Sequence, residues 1–561
     1  MAKQSATPHV PNDSRDVARE LDGRLAALRD ARRPFDPVWD EVARYMGPSF
    51  AGFTAEPEDP ARALTPDEHI VETAAATRAA LIFSAGMLSG LSSPSSRWFS
   101  LTLDDQDLAQ RPEVRAWLTD LEDGFYRTLA ASDYYSQQHL AYHQSGLFGW
   151  QCLYVDESPQ GGIRWNARPL NELYIAESFQ GAVDTAFRVF RLTARQAAQK
   201  WGRDNLSSQV RDALDRKGGE GRRFPFLHAV FPKEDAARNN RNTGGPNAGG
   251  PDLAARGQGL AFASWYVDLT ARQVVSRGGY AQLPFIVTRA YRLPGTAYSC
   301  SPGTQALADV KMVNEMKRLI LQAGQLTVAP PYLVPDDGFV GRFSFEPRAM
   351  NYYRKAEGNL ASDFTPLSVG GDPRFSWELL KASRTDIQEA FFTDLFLAVT
   401  TRINQGAAPT ALEVAELAGE RMFLLGPMLI RQQHENFDAL FARLLALKRR
   451  RGELPPEPAE VHGKSLRLEY VSPLALAQRA GVVPSVLETY ADAASIAQAA
   501  PQVMDNMDHD AALRRIMAAR GFPLAAIRPE DEVRALREQA QMGRAAMAAA
   551  AQPHPQPQEM P

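Results

Sequence analysis

The stretch from Ser301 to Thr401 constrains this chain most, because it spells one helix, a break, an irregular insert and a second helix. Ser301-Pro302 joins a capping hydroxyl to the one residue that suits the first helical position, and Leu307, Val310, Val313, Met316 and Ile320 follow at helical spacing. Pro330-Pro331 ends that helix, since neither ring nitrogen can donate and each ring crowds the preceding turn. Residues 330–371 carry no helical periodicity. Asp372-Pro373 then opens a return helix whose Trp377, Leu380, Ile387, Phe391 and Leu395 are predicted to form one apolar stripe. Two helices thus bracket a small subdomain.

Upstream, Val17, Leu21, Leu25 and Leu28 share a helical face. Asp36-Pro37 reads as an N-cap and first position for a second helix bearing Trp39, Val42 and Met46. Thr65-Pro66-Asp67-Glu68 repeats that opening for a third helix, in which Gly86 and Gly90 would let another backbone approach. From Trp150 to Arg191, and again over 224–231 and 260–292, short β-branched and aromatic runs are punctuated by Gly, Pro and Asp, which predicts strands. Ser276-Arg277-Gly278-Gly279 suits a hairpin turn. The Gly/Asn-rich insert 235–260 reads as a mobile surface loop between strands.

Thr410-Ala411-Leu412-Glu413 is a capping box for a long helix, expected to kink at Gly426-Pro427 and to end on the basic run 448–451. A strand at 464–474 follows, then Ala/Leu/Arg/Glu-rich helices to Arg544 and a low-complexity tail over 545–561, read as disordered like residues 1–14. The chain is therefore α+β and predominantly helical. At 561 residues it exceeds what a single core sustains.

Charge and motifs exclude several functions. With 62 Lys+Arg against 66 Asp+Glu, the surface as a whole cannot grip a phosphate backbone, so any DNA contact is local. Cys152 and Cys300 form no disulfide framework and have no metal-ligand spacing. The N-terminus lacks the apolar core of a signal peptide, and the uncharged run 79–91 is too short to span a bilayer. Gly463-Lys464-Ser465 lacks the first glycine of a phosphate loop and reads as a turn before a strand. His434-Glu435 lacks the second imidazole of a zinc-protease helix, Asp438 standing in its place. Asp505, Asp508, His509 and Asp510 read as caps for the helix that follows more readily than as a cation site. No cofactor is expected and no catalytic residue is assigned.

Several longer segments together resemble the podovirus head-to-tail connector, or portal, family: SSPSSRWFSL at 92–101, LFGWQCLYVDE, the block LYIAESFQGAVDTAFRVFRLTARQAAQKWG at 173–202, TALEVAELAGERMFLLGPMLIRQQHENFDALFARL, and the late YVSPLALAQRA, PQVMDNMDHD and RGFP. The resemblance covers roughly residues 15–540. Two parts fall outside the shared pattern, the insert near 235–260 and the Ala/Pro/Gln tail.

The resemblance implies a portal-type fold of wing, stem, clip and crown regions, assembled with about a dozen copies into a ring around a DNA channel. On that mapping residues 15–300 are wing, 301–329 and 372–398 stem, 330–371 clip, 399–409 the tunnel loop, 410–475 a long kinked helix and wing strand, and 476–544 crown. Thr400, Thr401, Arg402, Asn404 and Gln405 would then face DNA, and Tyr352, Tyr353, Arg354 and Lys355 would meet partners at the clip. Implied partners are double-stranded DNA, the terminase large subunit, tail or adaptor proteins, and the major capsid and scaffolding proteins. The place implied is a capsid vertex of the virion, after assembly in the host cytoplasm. The competing readings are a metal-dependent nuclease of the same virus, for which only Asp505 to Asp510 could begin a site, or another tail or capsid protein.

Overall fold

A computed structural model describes residues 12–50, 52–53, 74–158, 161–235, 260–335, 344–353, 365–366, 373–397, 424–475, 482–498, 500–519, 527–528 and 530–550. The chain divides into two compact units, one of residues 1–90, 130–407 and 420–450, the other of residues 91–129, 408–419 and 451–561.

In the first unit a five-stranded antiparallel meander runs Leu173–Glu177, Val183–Thr193, Arg223–Pro232, Phe262–Asp268, Gln273–Tyr280. Alternation along the strands gives the sheet two apolar faces. Phe187, Leu227, Ala229 and Phe231 pack against Ala18, Leu21 and Leu25 of helix Asn12–Arg32. Phe190, Phe224 and Phe226 pack on the other side against Ala197 and Val210 of helices Ala194–Trp201 and Ser208–Asp215. The Ser276 to Gly279 run lies inside the last strand, not at a turn. The turn falls earlier, where Arg272 adopts φ 49°.

A second antiparallel sheet orders Ile163–Ala167, Trp150–Glu157, Phe285–Arg289. Its first core tryptophan, Trp150, meets Trp39 at 5.9 Å and Tyr298 at 5.5 Å between ring centroids, which ties helix Asp36–Met46 to the sheet. Asp36 does not cap that helix; Phe35 holds the cap position, and the Asp36 carboxylate pairs with the buried Arg32 at 2.9 Å. Helix Ala75–Leu91 begins beyond Thr65 to Glu68, which lie outside the described residues, as does the insert between 236 and 259. At Gly86 the close neighbour is a side chain rather than a backbone, since a Cβ there would collide with the Phe396 ring.

The long helix that ends at Arg451 is described from Leu424, so its capping box at Thr410 lies outside the described residues. The run is unbroken at Pro427. Its departure from α geometry comes later, as a π-helical segment Gln432–Asp438.

In the second unit Phe99–Leu103 pairs antiparallel with Leu466–Tyr470. Trp98 and Phe99 are buried, and the Tyr126 hydroxyl accepts from both of their amides at 2.9 Å while donating to the Phe99 carbonyl at 2.8 Å. Helix Pro112–Ala130 buries Val114, Leu118, Leu121, Phe125 and Leu129. Helices Val482–Ala497, His509–Ala519 and Glu530–Ala550 follow, the last two clamped by a bidentate Arg537–Asp510 pair.

Candidate functional site: a helical hairpin and its buried foot

Helix Pro302–Val328 starts where Ser301 and Thr304 exchange bonds, the Ser301 hydroxyl accepting from the Thr304 amide at 2.8 Å and the Thr304 hydroxyl from the Ser301 amide at 2.9 Å. The Ser301 hydroxyl also donates to the Leu147 carbonyl at 2.7 Å, which locks the helix start to the end of helix Tyr134–Phe148. Gly303 makes this approach possible: a Cβ there would sit 2.7 Å from the same carbonyl oxygen. Leu307, Val310 and Val313 are buried beyond it, and Lys311 reaches Glu41 at 2.5 Å. From Leu319 onward the helix has no charged residue, and Leu319, Leu321 and Val328 are exposed, Val328 at 88%.

Helix Pro373–Ala390 packs beside it, with Leu380 and Ile387 buried. Trp377 departs from the stripe expected of it, being 57% exposed alongside Leu379. The helix breaks at Phe391-Phe392, where both rings are buried and Phe392 holds φ 54°, a left-handed conformation costly for a residue with a Cβ. Helical turns resume over 393–397.

Between the helices a small sheet sets Tyr332–Pro335 parallel to Met350–Tyr353 and antiparallel to Thr365–Pro366. Buried Asn351 braces it, accepting from the Ser344 amide at 2.6 Å and donating to the Ser344 carbonyl at 2.7 Å. Met350 and Tyr352 are exposed, Tyr353 lies in the same strand, and Arg354 and Lys355 fall outside the described residues. So do Thr400, Thr401, Arg402, Asn404 and Gln405.

Sequence reasoning missed a buried ion network in the first unit. Arg289, 2% exposed, binds both Glu177 and Glu435 and donates to the Gly181 carbonyl at 2.9 Å. Arg292 adds a second contact to Glu177 at 2.7 Å, and Arg431 one to Glu435 at 3.0 Å. Glu435 sits on the π-helical segment, as do buried Gln432, which accepts from Gln151 at 3.3 Å, and Asn436. Its neighbour His434 is exposed and pairs with Asp438 at 2.9 Å, so the two residues of that dipeptide point to different tasks. No local signal marked Glu435, which stands in the polar run RQQHENFD at 431–438 and reads there as part of a surface helix.

Candidate chemistry elsewhere resolves into structure. Asp508 accepts from the Ala511 amide at 2.9 Å as a helix cap, and Asp510 is held by Arg537. Among the described residues no three His, Cys, Asp or Glu side chains gather as a metal site, and no helix is long and apolar enough to cross a membrane. Gly463, at φ 77°, turns the chain before strand Leu466–Tyr470. Cys152 and Cys300 are free, and burial pushes the Cys152 thiol up to about 12.

A hairpin anchored at its foot and capped by a small sheet defines a structural scaffold, and comparison with known proteins agrees. The profile of the family described as "Bacteriophage head to tail connecting protein" matches residues 18–527. The chain is 28% identical to the "Portal protein" of Salmonella phage epsilon15, over 94% of this chain and 91% of that one. It is equally 28% identical to the "Probable portal protein" of Bordetella phage BPP-1, over 92% and 90%. The chain belongs to the bacteriophage head to tail connecting protein family.

Proposed function

We propose that this chain is a portal subunit, the head-to-tail connector of a short-tailed phage, and not an enzyme. The match of the connector family over residues 18–527 carries the reading. In it, about a dozen copies form a ring at one capsid vertex of the virion. The terminase drives double-stranded DNA through the ring, the genome leaves by the same path, and tail, adaptor, scaffolding and capsid proteins attach around it during assembly in the host cytoplasm.

The helix, small sheet, helix unit corresponds to the stem and clip of this reading. The exposed apolar residues Leu319, Leu321, Val328 and Trp377 support self-association, because large apolar side chains exposed on an isolated subunit are readily covered by a partner. Tyr352 is exposed and, with Tyr353, Arg354 and Lys355, suits the anchor chemistry of a partner contact. Thr400, Thr401, Arg402, Asn404 and Gln405 would line the channel with one cation per copy. That sparseness fits sliding, since duplex DNA carries a charge about every 1.7 Å and a dense basic ring would bind it tightly.

Electron microscopy of the purified protein tests the assignment. Rings with a central hole are expected; monodisperse single chains that cleave DNA in a metal-dependent manner would overturn it in favour of a nuclease.

A further inference from the structure

We propose that a cationic cluster in the first unit, built from Arg168, Arg188 and Lys200, is a binding site for a phosphoryl oxyanion. This site lies away from the hairpin residues and does not depend on the portal reading.

Strand register brings the parts together. Arg188, His228 and Tyr266 are mutually paired across three adjacent strands, so their side chains share one face of the meander. Thr193 ends the strand that carries Arg188 and begins helix Ala194–Trp201 through a full capping box with Gln196, which fixes the direction in which Lys200 returns over the sheet. The Lys200 ammonium lies 4.0 Å from the Tyr266 ring centroid and 5.5 Å from that of Phe190. The Arg188 guanidinium lies 4.3 Å over the same Phe190 ring. From the second sheet Arg168 sits 4.6 Å over Tyr154.

Aromatic faces orient these cations without neutralising them. The carboxylates present fall short. Glu172 accepts from Arg188 Nε at 2.7 Å. Asp156 accepts from the Tyr154 hydroxyl at 2.8 Å and faces buried Arg443 at 3.8 Å. Among the described residues Lys200 makes no close ion pair, Asp156 acting on it only through the field, and the buried Nε of Arg168 has no acceptor. His228, fully buried with its Nε2 2.9 Å from the Ser264 hydroxyl, has its pKa held well below the usual imidazole value, first by burial and then by Lys200, Arg188 and Arg168, so it adds no charge. Three cations face two carboxylates, Glu172 bonded to Arg188 and Asp156 shared with Arg443, so positive charge stays in excess.

The titration behaviour agrees with an absent anion. The Arg168 guanidinium is lowered to about 10, first by burial and next by Arg188. Lys200 is lowered to about 8, first by desolvation and then by Arg188 and Arg168, with Asp156 pulling the other way. An arriving anion would offset the repulsion from the two guanidinia, the smaller part of that shift. Excess charge spread over planar forks and a compact ammonium fits a phosphoryl oxyanion, whose several oxygens can meet all three heads, better than a single carboxylate.

The test is isothermal titration of the intact protein with inorganic phosphate at low chloride, followed by displacement with a short DNA duplex. One phosphate per chain is expected, with Lys200→Gln weakening it at least tenfold and Lys200→Arg retaining it. At pH 8 the wild type should take up a proton on binding, seen as heat that depends on the buffer, and Lys200→Arg should not. Displacement of the phosphate by duplex would identify a nucleic-acid backbone as the source; binding without displacement would identify a free phosphoryl ligand. Absence of phosphate binding, equal affinity in Lys200→Gln, or saturation by an acidic peptide but not by phosphate would overturn the proposal.

Discussion

Arg289 shows how much one side chain can hold. Its guanidinium, 2% exposed, satisfies two carboxylates and a carbonyl from two separate parts of the first unit, the turn at 177–181 and the π-helical segment. Breaking a buried pair by removing one partner costs about 3–5 kcal/mol, so Arg289→Ala should lower the urea midpoint by an amount corresponding to that range, while Glu435→Gln, which keeps hydrogen-bonding atoms in place, should cost less. His143 makes an acid-side expectation. Burial lowers its pKa to about 4 against the backbone hydrogen bond to Ala80, which pulls the other way. The unfolded chain binds a proton below about 6.5 and the folded chain does not until about 4, so stability is lost as pH falls through that window. The loss is roughly 1.4 kcal/mol per pH unit for this one group, and His143→Gln should flatten it in melting curves taken between pH 6.5 and 4.

At the scale of elements, the exposed apolar stretch of the hairpin makes the clearest expectation. Leu321→Glu combined with Trp377→Glu should shift light-scattering mass toward single chains while leaving the far-ultraviolet circular dichroism of the fold unchanged, because both positions are solvent-facing in the isolated subunit. How legible these elements were in the sequence depended on the range of the force that sets them. Ser301-Pro302 and the strands from Trp150 onward are decided within a few residues by caps, rings and alternation, and they stand where the spacing predicts. Ser276 to Gly279 carries the composition of a turn but is drawn into a strand by its ladder to Phe262–Tyr266. Pairing of Phe99–Leu103 with Leu466–Tyr470 joins distant parts of the chain, and nothing local in either strand names its partner. Trp377 has helical spacing with its neighbours but is left 57% exposed among the described residues, an outcome that periodicity alone cannot foretell. Glu435 was hidden for a related reason: a wide turn over Gln432–Asp438 re-aims side chains that regular α spacing would send elsewhere. The candidate site was therefore legible as a hairpin and illegible as a charge network.

For the whole molecule, the formal charge of -4 and a single arginine between Val399 and Pro409 bear on the proposed passage of DNA. Arg402→Ala should slow packaging or alter ejection more at low salt than at high salt, since a collar of one cation per copy acts through a screened field; kinetics unchanged at both salt concentrations would remove Arg402 from that role. The way helix Pro302–Val328 is mounted carries a mechanical consequence. Its root is clamped by the Ser301 hydroxyl on Leu147, by the close contact at Gly303 and by buried Leu307, Val310 and Val313, whereas its far end, held beside the return helix, is largely exposed and uncharged. That is a cantilever: load applied to the small sheet at its tip bends the free span and delivers the greatest torque to the root. Amide exchange in the isolated subunit should then run slow at Val310 and fast at Gln325, and contact with neighbouring subunits should stiffen the free span first.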